Sequence, residues 1–135
     1  MTKDEEKAMI DTIQKTFRNY YNDLKTLGLT AEFKYLDSSS NFFWVPPGYP
    51  SAISYDSVAT ILKQNAAFFK SIDNRFEDLR IIPLSKELAT YTARLHSTMT
   101  DTTGNTSNIS LVETGVLIKR KDGWKLLSGQ TAVIK

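Results

Sequence analysis

The stretch from Glu113 to Lys135 constrains the fold most strongly, because it consists of two β-prone segments around one turn. β-branched and aliphatic residues fill both segments, and Lys121, Asp122 and Gly123 lie between them. Glycine supplies the positive φ angle that closes such a turn. The sequence therefore predicts a long antiparallel hairpin whose second strand starts near Trp124.

The length and composition indicate one domain, residues 1–135, because 135 residues can bury a sufficient core without covalent help. Cysteine is absent, which excludes disulfides and thiolate chemistry and fits a reducing compartment. No run is apolar and long enough for a signal peptide core or a membrane span. We therefore expect a cytoplasmic protein that does not interact with membranes.

The charges are nearly balanced, with 17 basic and 15 acidic residues. The one basic cluster surrounds the predicted hairpin turn and comprises Lys119, Arg120, Lys121 and Lys125. Nucleic-acid binding requires a broader basic face. The cluster favours a solvated hairpin tip, and no nucleic-acid partner is expected.

Three helices are predicted in the first half of the chain. Thr2 and Glu5 have the spacing of a capping box, and apolar residues follow at helical steps until Gly28. Thr30 is the expected cap of a short second helix. Ser54 is the expected cap of a third helix, in which Val58, Ile61, Leu62, Asn65, Phe69 and Ile72 would form one stripe.

Strands dominate the second half, where the apolar period falls from 3.6 to about 2 after Arg75. A brief strand at 41–45 precedes Pro46, which cannot donate to a ladder. Longer strands are predicted near 75–83, 87–100, 108–120 and 123–134. The fold class is therefore α+β, with N-terminal helices packed on one face of a strongly curved, mostly antiparallel sheet.

The order of several short motifs resembles the SnoaL-like branch of the nuclear transport factor 2-like superfamily, which has a cystatin-like fold. These motifs are Tyr35 to Asp37, Trp44 to Gly48, Ser54 to Asp56, and Asp122 to Trp124. The resemblance spans nearly the whole chain. It implies that helices and sheet form a cone with an internal pocket, and that the opposite sheet face forms a homodimer.

The resemblance also implies which residues line the pocket. They are aromatic and polar side chains on the helices, the first strand and the last two strands: Tyr21, Tyr35, Trp44, Phe69, Thr114, Trp124, Ser128 and Gln130. Such a pocket would bind a small, largely apolar molecule. No cofactor is expected, and a single histidine without cysteine argues against a metal site.

Two residues are candidates for catalysis, Tyr21 and His96. Relative to the ketosteroid isomerases of this superfamily, Tyr21 keeps the spacing of the oxyanion-binding tyrosine, but Val45 occupies the position of the catalytic base. The second oxyanion donor falls near Thr114, one residue from Glu113, and a one-residue slip changes the face. Steroid isomerisation is therefore disfavoured.

His96 is the one side chain with an unperturbed pKa near neutrality. It alternates with Arg94 and Thr98, opposite an apolar set, which favours the outer face over a base in the pocket. A structural ion pair between Arg94 and Glu113 is favoured over catalysis by these groups. The alternatives left open are a ligand-binding protein, a SnoaL-like cyclase, isomerase or dehydratase, and an interaction module that uses the sheet face.

Overall fold

The computed structural model describes residues 1–134 and begins with the long helix α1, Lys3–Leu27. The capping box is confirmed, because the Thr2 side chain accepts from the Glu5 backbone and the Glu5 carboxylate accepts from Thr2. The helix ends at Gly28, whose φ of 90° suits glycine. Its buried face comprises Met9, Ile13, Phe17, Tyr20 and Leu24.

A 3-10 helix, Leu29–Tyr35, follows α1 directly. It is the predicted second helix, but it begins at Gly28 without a side-chain cap, so the expected cap at Thr30 is wrong. Its carboxyl end leads into an isolated bridge between Leu36 and Leu126, which ties the segment to the last strand.

Helix α2 spans Tyr55–Ala66 and is capped by Ser54, which accepts a hydrogen bond from the Ser57 amide. The predicted helical stripe extended to Phe69 and Ile72, but both residues belong to strand β2, Phe69–Pro83. Phe69 pairs there with Asp101. Phe69 and Ile72 continue the helical spacing of apolar residues from α2. Cross-strand pairing of this β-prone segment nevertheless outweighs that spacing.

The five strands form one sheet in the order β1-β5-β4-β3-β2. Strand β1 is parallel to β5, and all other neighbours are antiparallel. The predicted C-terminal hairpin is confirmed as β4 and β5. The remaining bounds are Phe43–Val45 for β1, Leu88–Asp101 for β3, Thr106–Arg120 for β4 and Gly123–Val133 for β5.

A β-bulge interrupts the hairpin. Leu117 pairs with Leu126, but Val116 pairs with Ser128, so Leu127 is an extra residue in β5. One extra residue reverses which side chains face each side of the sheet beyond it. Thr131 therefore faces the helices.

The helices pack against the concave face of this curved sheet, where the side chains of α1 meet those of β2, β3 and β5. The predicted α+β class, with helices on one face of a mostly antiparallel sheet, is confirmed. Within residues 1–134, no helix combines the length and apolar composition needed to cross a membrane.

Candidate functional site

A cavity of about 290 Å³ lies between the concave sheet face and the helices. The turn at Pro46 and Pro47 contributes to its rim. Most of its wall is apolar: Leu29, Leu36, Phe42, Val58, Ile61, Leu62, Leu95, Leu111 and Leu126. Its polar groups are Tyr20, Tyr21, Glu32, Trp44, Asn65, Asn74, Glu113 and Thr131.

Glu113 projects into the cavity from the middle of β4. Its Oε2 accepts a hydrogen bond from the Tyr91 hydroxyl at 2.8 Å, and its Oε1 accepts one from the Thr131 hydroxyl at 2.8 Å. Burial raises the pKa of the Glu113 carboxyl, and the two hydrogen bonds oppose part of that rise. Glu113 is thus a carboxyl group held in one orientation in a mostly apolar wall.

Glu32 enters the same cavity from the 3-10 helix and accepts a hydrogen bond from the Tyr20 hydroxyl. Burial raises the pKa of Glu32 to about 7, the Tyr20 hydrogen bond lowers it, and the nearby charge of Glu113 raises it further. A carboxyl with this pKa exchanges protons readily near neutral pH.

Tyr21 also lines the cavity, and its ring packs against Phe17 and Phe76. Burial, followed by the charges of Glu113 and Glu32, raises the pKa of the Tyr21 phenol well above its usual range. The phenol therefore stays protonated at physiological pH and can donate a hydrogen bond to a ligand.

Trp44 closes one side of the cavity from β1. Its indole N–H donates to the Thr131 hydroxyl at 2.9 Å. The ring lies over the paired residues Gly115 and Gly129, where a Cβ on Gly129 would come within 2.6 Å of the Trp44 Cη2 atom. Only glycine leaves room for the indole ring at these two paired positions of the sheet.

Two predicted ligand-binding residues, Tyr21 and Trp44, lie in the cavity wall, and their role in binding stays a prediction. Thr114, Ser128 and Gln130 need correction. Thr114 pairs with Gln130 on the outer face, because Glu113 is the inward residue at that point of β4. The bulge at Leu127 turns Ser128 and Gln130 outward, which a strict period of two could not predict.

The other predicted binding residues lie outside the cavity wall. Trp124 is 5% exposed in the core and, with Tyr35, borders a separate surface cleft beside α1. The Tyr35 ring stacks on Tyr20, and its hydroxyl donates to Asp23. Phe69 is half-buried at the start of β2, away from the cavity wall.

His96 lies on the outer face of β3, as the alternation favoured, and its Nε2 is 3.0 Å from the Asn108 Oδ1 atom. It does not border the cavity, so it is not placed to act as a base there. The predicted pair of Arg94 with Glu113 is wrong, because Arg94 Nε lies 3.5 Å from Glu77 on the outer face.

Sequence reasoning missed Glu32, Asn74 and Thr131 as cavity residues. Asn74 interrupts an otherwise apolar alternation between Ile72 and Phe76, which could have marked it as an inward polar group. Glu32 carries no periodic signal because it belongs to a short 3-10 helix. In residues 1–134, no group of three or more His, Cys, Asp or Glu side chains is placed to hold a metal ion.

Fold and site together define a cone-shaped α+β protein with a pocket between helices and sheet. The model of the SnoaL-like domain family matches residues 13–134. The chain belongs to the SnoaL-like domain family, as the motif order indicated. No curated protein matches the chain.

Solved structures share the fold at low sequence identity. A protein from Novosphingobium aromaticivorans, provisionally described as a scytalone dehydratase, superposes with a TM-score of 0.83 and 11% identity, covering 99% of this chain and 89% of that one. A nuclear transport factor 2-like superfamily protein from Salmonella enterica superposes with a TM-score of 0.74 and 14% identity, and the match covers 91% of this chain and 89% of that one. A hexachlorocyclohexane dehydrochlorinase, LinA type 2, superposes with a TM-score of 0.71 and 13% identity, and the match covers 95% of this chain and 86% of that one.

Proposed function

We propose that this protein binds a small, largely apolar molecule in the cavity between α1, α2 and the sheet. The observation that carries the proposal is the cavity itself, about 290 Å³ with a mostly aliphatic and aromatic wall and a few polar groups. Cavities of this composition, near the lower end of the usual size range, are typical of small-molecule sites.

The polar groups are arranged to orient a ligand. Glu113 is held by Tyr91 and Thr131, and Thr131 is held by Trp44, so the carboxylate has one preferred position. The Tyr21 phenol is a donor at the same wall. A rigid polar cluster in an apolar cavity fixes a ligand's orientation, while the apolar wall supplies most of the affinity.

Native mass spectrometry of the purified protein, combined with displacement of an environment-sensitive apolar dye, tests this proposal. Leu111→Trp should fill the cavity and abolish both a retained mass and dye binding, because Leu111 lines it. Val112→Trp is the matched control, since Val112 is 40% exposed on the opposite face of the same strand. Equal dye binding by both variants would contradict the proposal.

A second candidate function is acid–base catalysis by a SnoaL-like cyclase, isomerase or dehydratase. The observation that favours it is the pKa of Glu32, about 7, in a cavity that also holds the Tyr21 phenol. Glu32 would accept a proton from a carbon acid, and Tyr21 would donate a hydrogen bond to the developing oxyanion. The names of two structural relatives, a dehydratase and a dehydrochlorinase, make elimination the first reaction to test.

Hexachlorocyclohexane and a small β-hydroxyketone are suitable probe substrates, followed by chloride release and enone absorbance. If Glu32 is the base, turnover should rise with pH through about 7, and Glu32→Gln should reduce it by roughly 10²- to 10⁴-fold. Glu77→Gln, on the outer face, is the control. Turnover that Glu32→Gln leaves unchanged would exclude this role.

The proposal includes a homodimer formed through the outer sheet face and a cytoplasmic location. The outer face carries exposed apolar groups, including Val112 and Ile82, among threonines. An apolar face of this kind favours a twofold pair. The absence of cysteine agrees with a reducing compartment.

A further inference from the structure

The ionisable side chains that line the cavity are all acidic or phenolic. Glu32 and Glu113 supply the carboxyl groups, and no Lys, Arg or His is among the described residues of the wall. An anionic ligand would therefore meet unpaired negative charge in a low-dielectric enclosure, where repulsion is strong. The cavity disfavours carboxylates and phosphates.

The hydroxyl groups beside these carboxyl groups already donate their hydrogen bonds to them. Tyr91 and Thr131 donate to Glu113, and Tyr20 donates to Glu32. A carboxylate has about four lone-pair positions, so each retains acceptor capacity that faces the cavity. The two carboxyl groups therefore offer acceptors to a ligand, while the Tyr21 hydroxyl remains a donor elsewhere in the same wall.

Asn74 adds an independent observation. Its Oδ1 atom is buried and has no hydrogen-bond partner in residues 1–134, although the side chain lines the cavity. An unsatisfied buried acceptor is costly and uncommon in folded proteins. A donor on a bound ligand would satisfy it.

Aromatic faces complete the pattern. Trp44, Phe42 and Tyr21 lie in the same wall as the two carboxyl groups. Aromatic faces attract cations through the ring quadrupole, most strongly when water is excluded. Acceptors, negative charge and aromatic faces together match a cation that donates hydrogen bonds.

We propose that the ligand is a small amine that binds as its ammonium ion, with an apolar body against the aliphatic wall. An ammonium has three donors and no acceptor, which matches Glu113, Glu32 and the Asn74 Oδ1 atom. The inference rests on the proposed small-molecule function and names the class of its ligand. Binding also favours the ionised form of Glu32, so it releases a proton where Glu32 is partly protonated.

Calorimetry with three probes that share a phenylethyl body tests the inference at pH 7: phenethylamine, 2-phenylethanol and 3-phenylpropionate. Phenethylamine should bind roughly ten-fold or more tightly than the alcohol, because hydrogen bonds to charged groups are the stronger ones. The propionate should bind most weakly. An alcohol that binds as tightly as the amine, or a propionate that binds best, overturns the inference while the proposed function survives.

Variants of the two cavity carboxyl groups test whether these groups cause the preference for the amine. Glu113→Gln and Glu32→Gln should each weaken phenethylamine roughly ten-fold and leave 2-phenylethanol almost unchanged. Glu77→Gln, an exposed carboxylate on the outer face, should change neither. Titrations in two buffers with different ionisation heats should show proton release near pH 6.5 in the unmodified protein and less in Glu32→Gln. Amine affinity that neither cavity variant changes overturns the inference.

The two proposals fail separately. If none of the probes binds and native mass spectrometry finds no retained molecule, the small-molecule function fails together with the ligand class. If a retained molecule lacks an amine, only the ligand class fails.

Discussion

The indole N–H of Trp44 donates to the Thr131 hydroxyl at 2.9 Å, and Thr131 donates in turn to Glu113 at 2.8 Å. Trp44 belongs to the short parallel strand β1, whereas Thr131 and Glu113 face each other across the hairpin. A residue far away in the sequence therefore helps to fix the orientation of the cavity carboxylate. The chain of donors explains why the Glu113 side chain has one orientation in a mostly apolar wall.

Gly129 should be intolerant of alanine. A Cβ at this position would lie 2.4 Å from the Thr114 carbonyl oxygen and 2.6 Å from the Trp44 ring, so backbone and indole must both shift. We expect Gly129→Ala to lower the free energy of unfolding by roughly 1 to 3 kcal/mol. Urea denaturation checks this. Gln130→Ala, the exposed neighbour, is the control and should stay within about 0.5 kcal/mol of the unmodified protein.

Trp124 should be a major source of stability. The residue is 5% exposed and belongs to the hydrophobic core. Trp124→Ala should cost roughly 3 to 5 kcal/mol, the usual range for deleting a core aromatic. Phe68→Ala makes a matched comparison, since Phe68 is 64% exposed. Similar melting temperatures for the two variants would contradict the assigned packing.

Stability should fall as pH rises through the range where Glu32 ionises in the folded state. Its pKa is about 7 in the folded protein against an ordinary 4.5, so the folded state holds more protons between these values. The raised pKa of Glu113 acts in the same direction. The contribution of Glu32 to the free energy of unfolding is therefore fully present below about pH 4.5 and is lost as the pH rises to about 7.

The Glu32→Gln variant isolates this effect. Glutamine keeps an acceptor for Tyr20 but cannot ionise, so the variant should lose less stability between pH 5 and pH 8 than the unmodified protein. The difference should be on the order of 2 kcal/mol. Urea denaturation at both pH values measures it, with Glu77→Gln as control. Identical pH profiles for Glu32→Gln and the unmodified protein would show that Glu32 is not buried as described.

Dimerisation through the outer sheet face should be visible by light scattering at micromolar concentration. Val112 and Ile82 are exposed apolar residues on this face. Val112→Glu should weaken a dimer, because it puts charge on the exposed face of β4. A monomer for the unmodified protein would contradict the prediction.

The local elements of the fold could be predicted from the sequence alone. The capping box at Thr2 and Glu5, the glycine that ends α1, the Ser54 cap and the C-terminal hairpin all depend on neighbours a few residues apart. Their order also indicated the SnoaL-like fold, and it placed Tyr21 and Trp44 in the cavity wall. These features are predictable because capping, turn geometry and periodicity act over short distances.

Which polar groups share the cavity could not be predicted, because it depends on contacts between distant parts of the chain. The bulge at Leu127 turned Ser128 and Gln130 outward and Thr131 inward, and strand register chose Glu113 over Thr114. Register depends on the partner strand, so alternation within one strand cannot reveal an extra residue. The pKa of Glu32 likewise depends mainly on burial by elements distant in sequence, because removing water from a carboxyl group disfavours its charged form.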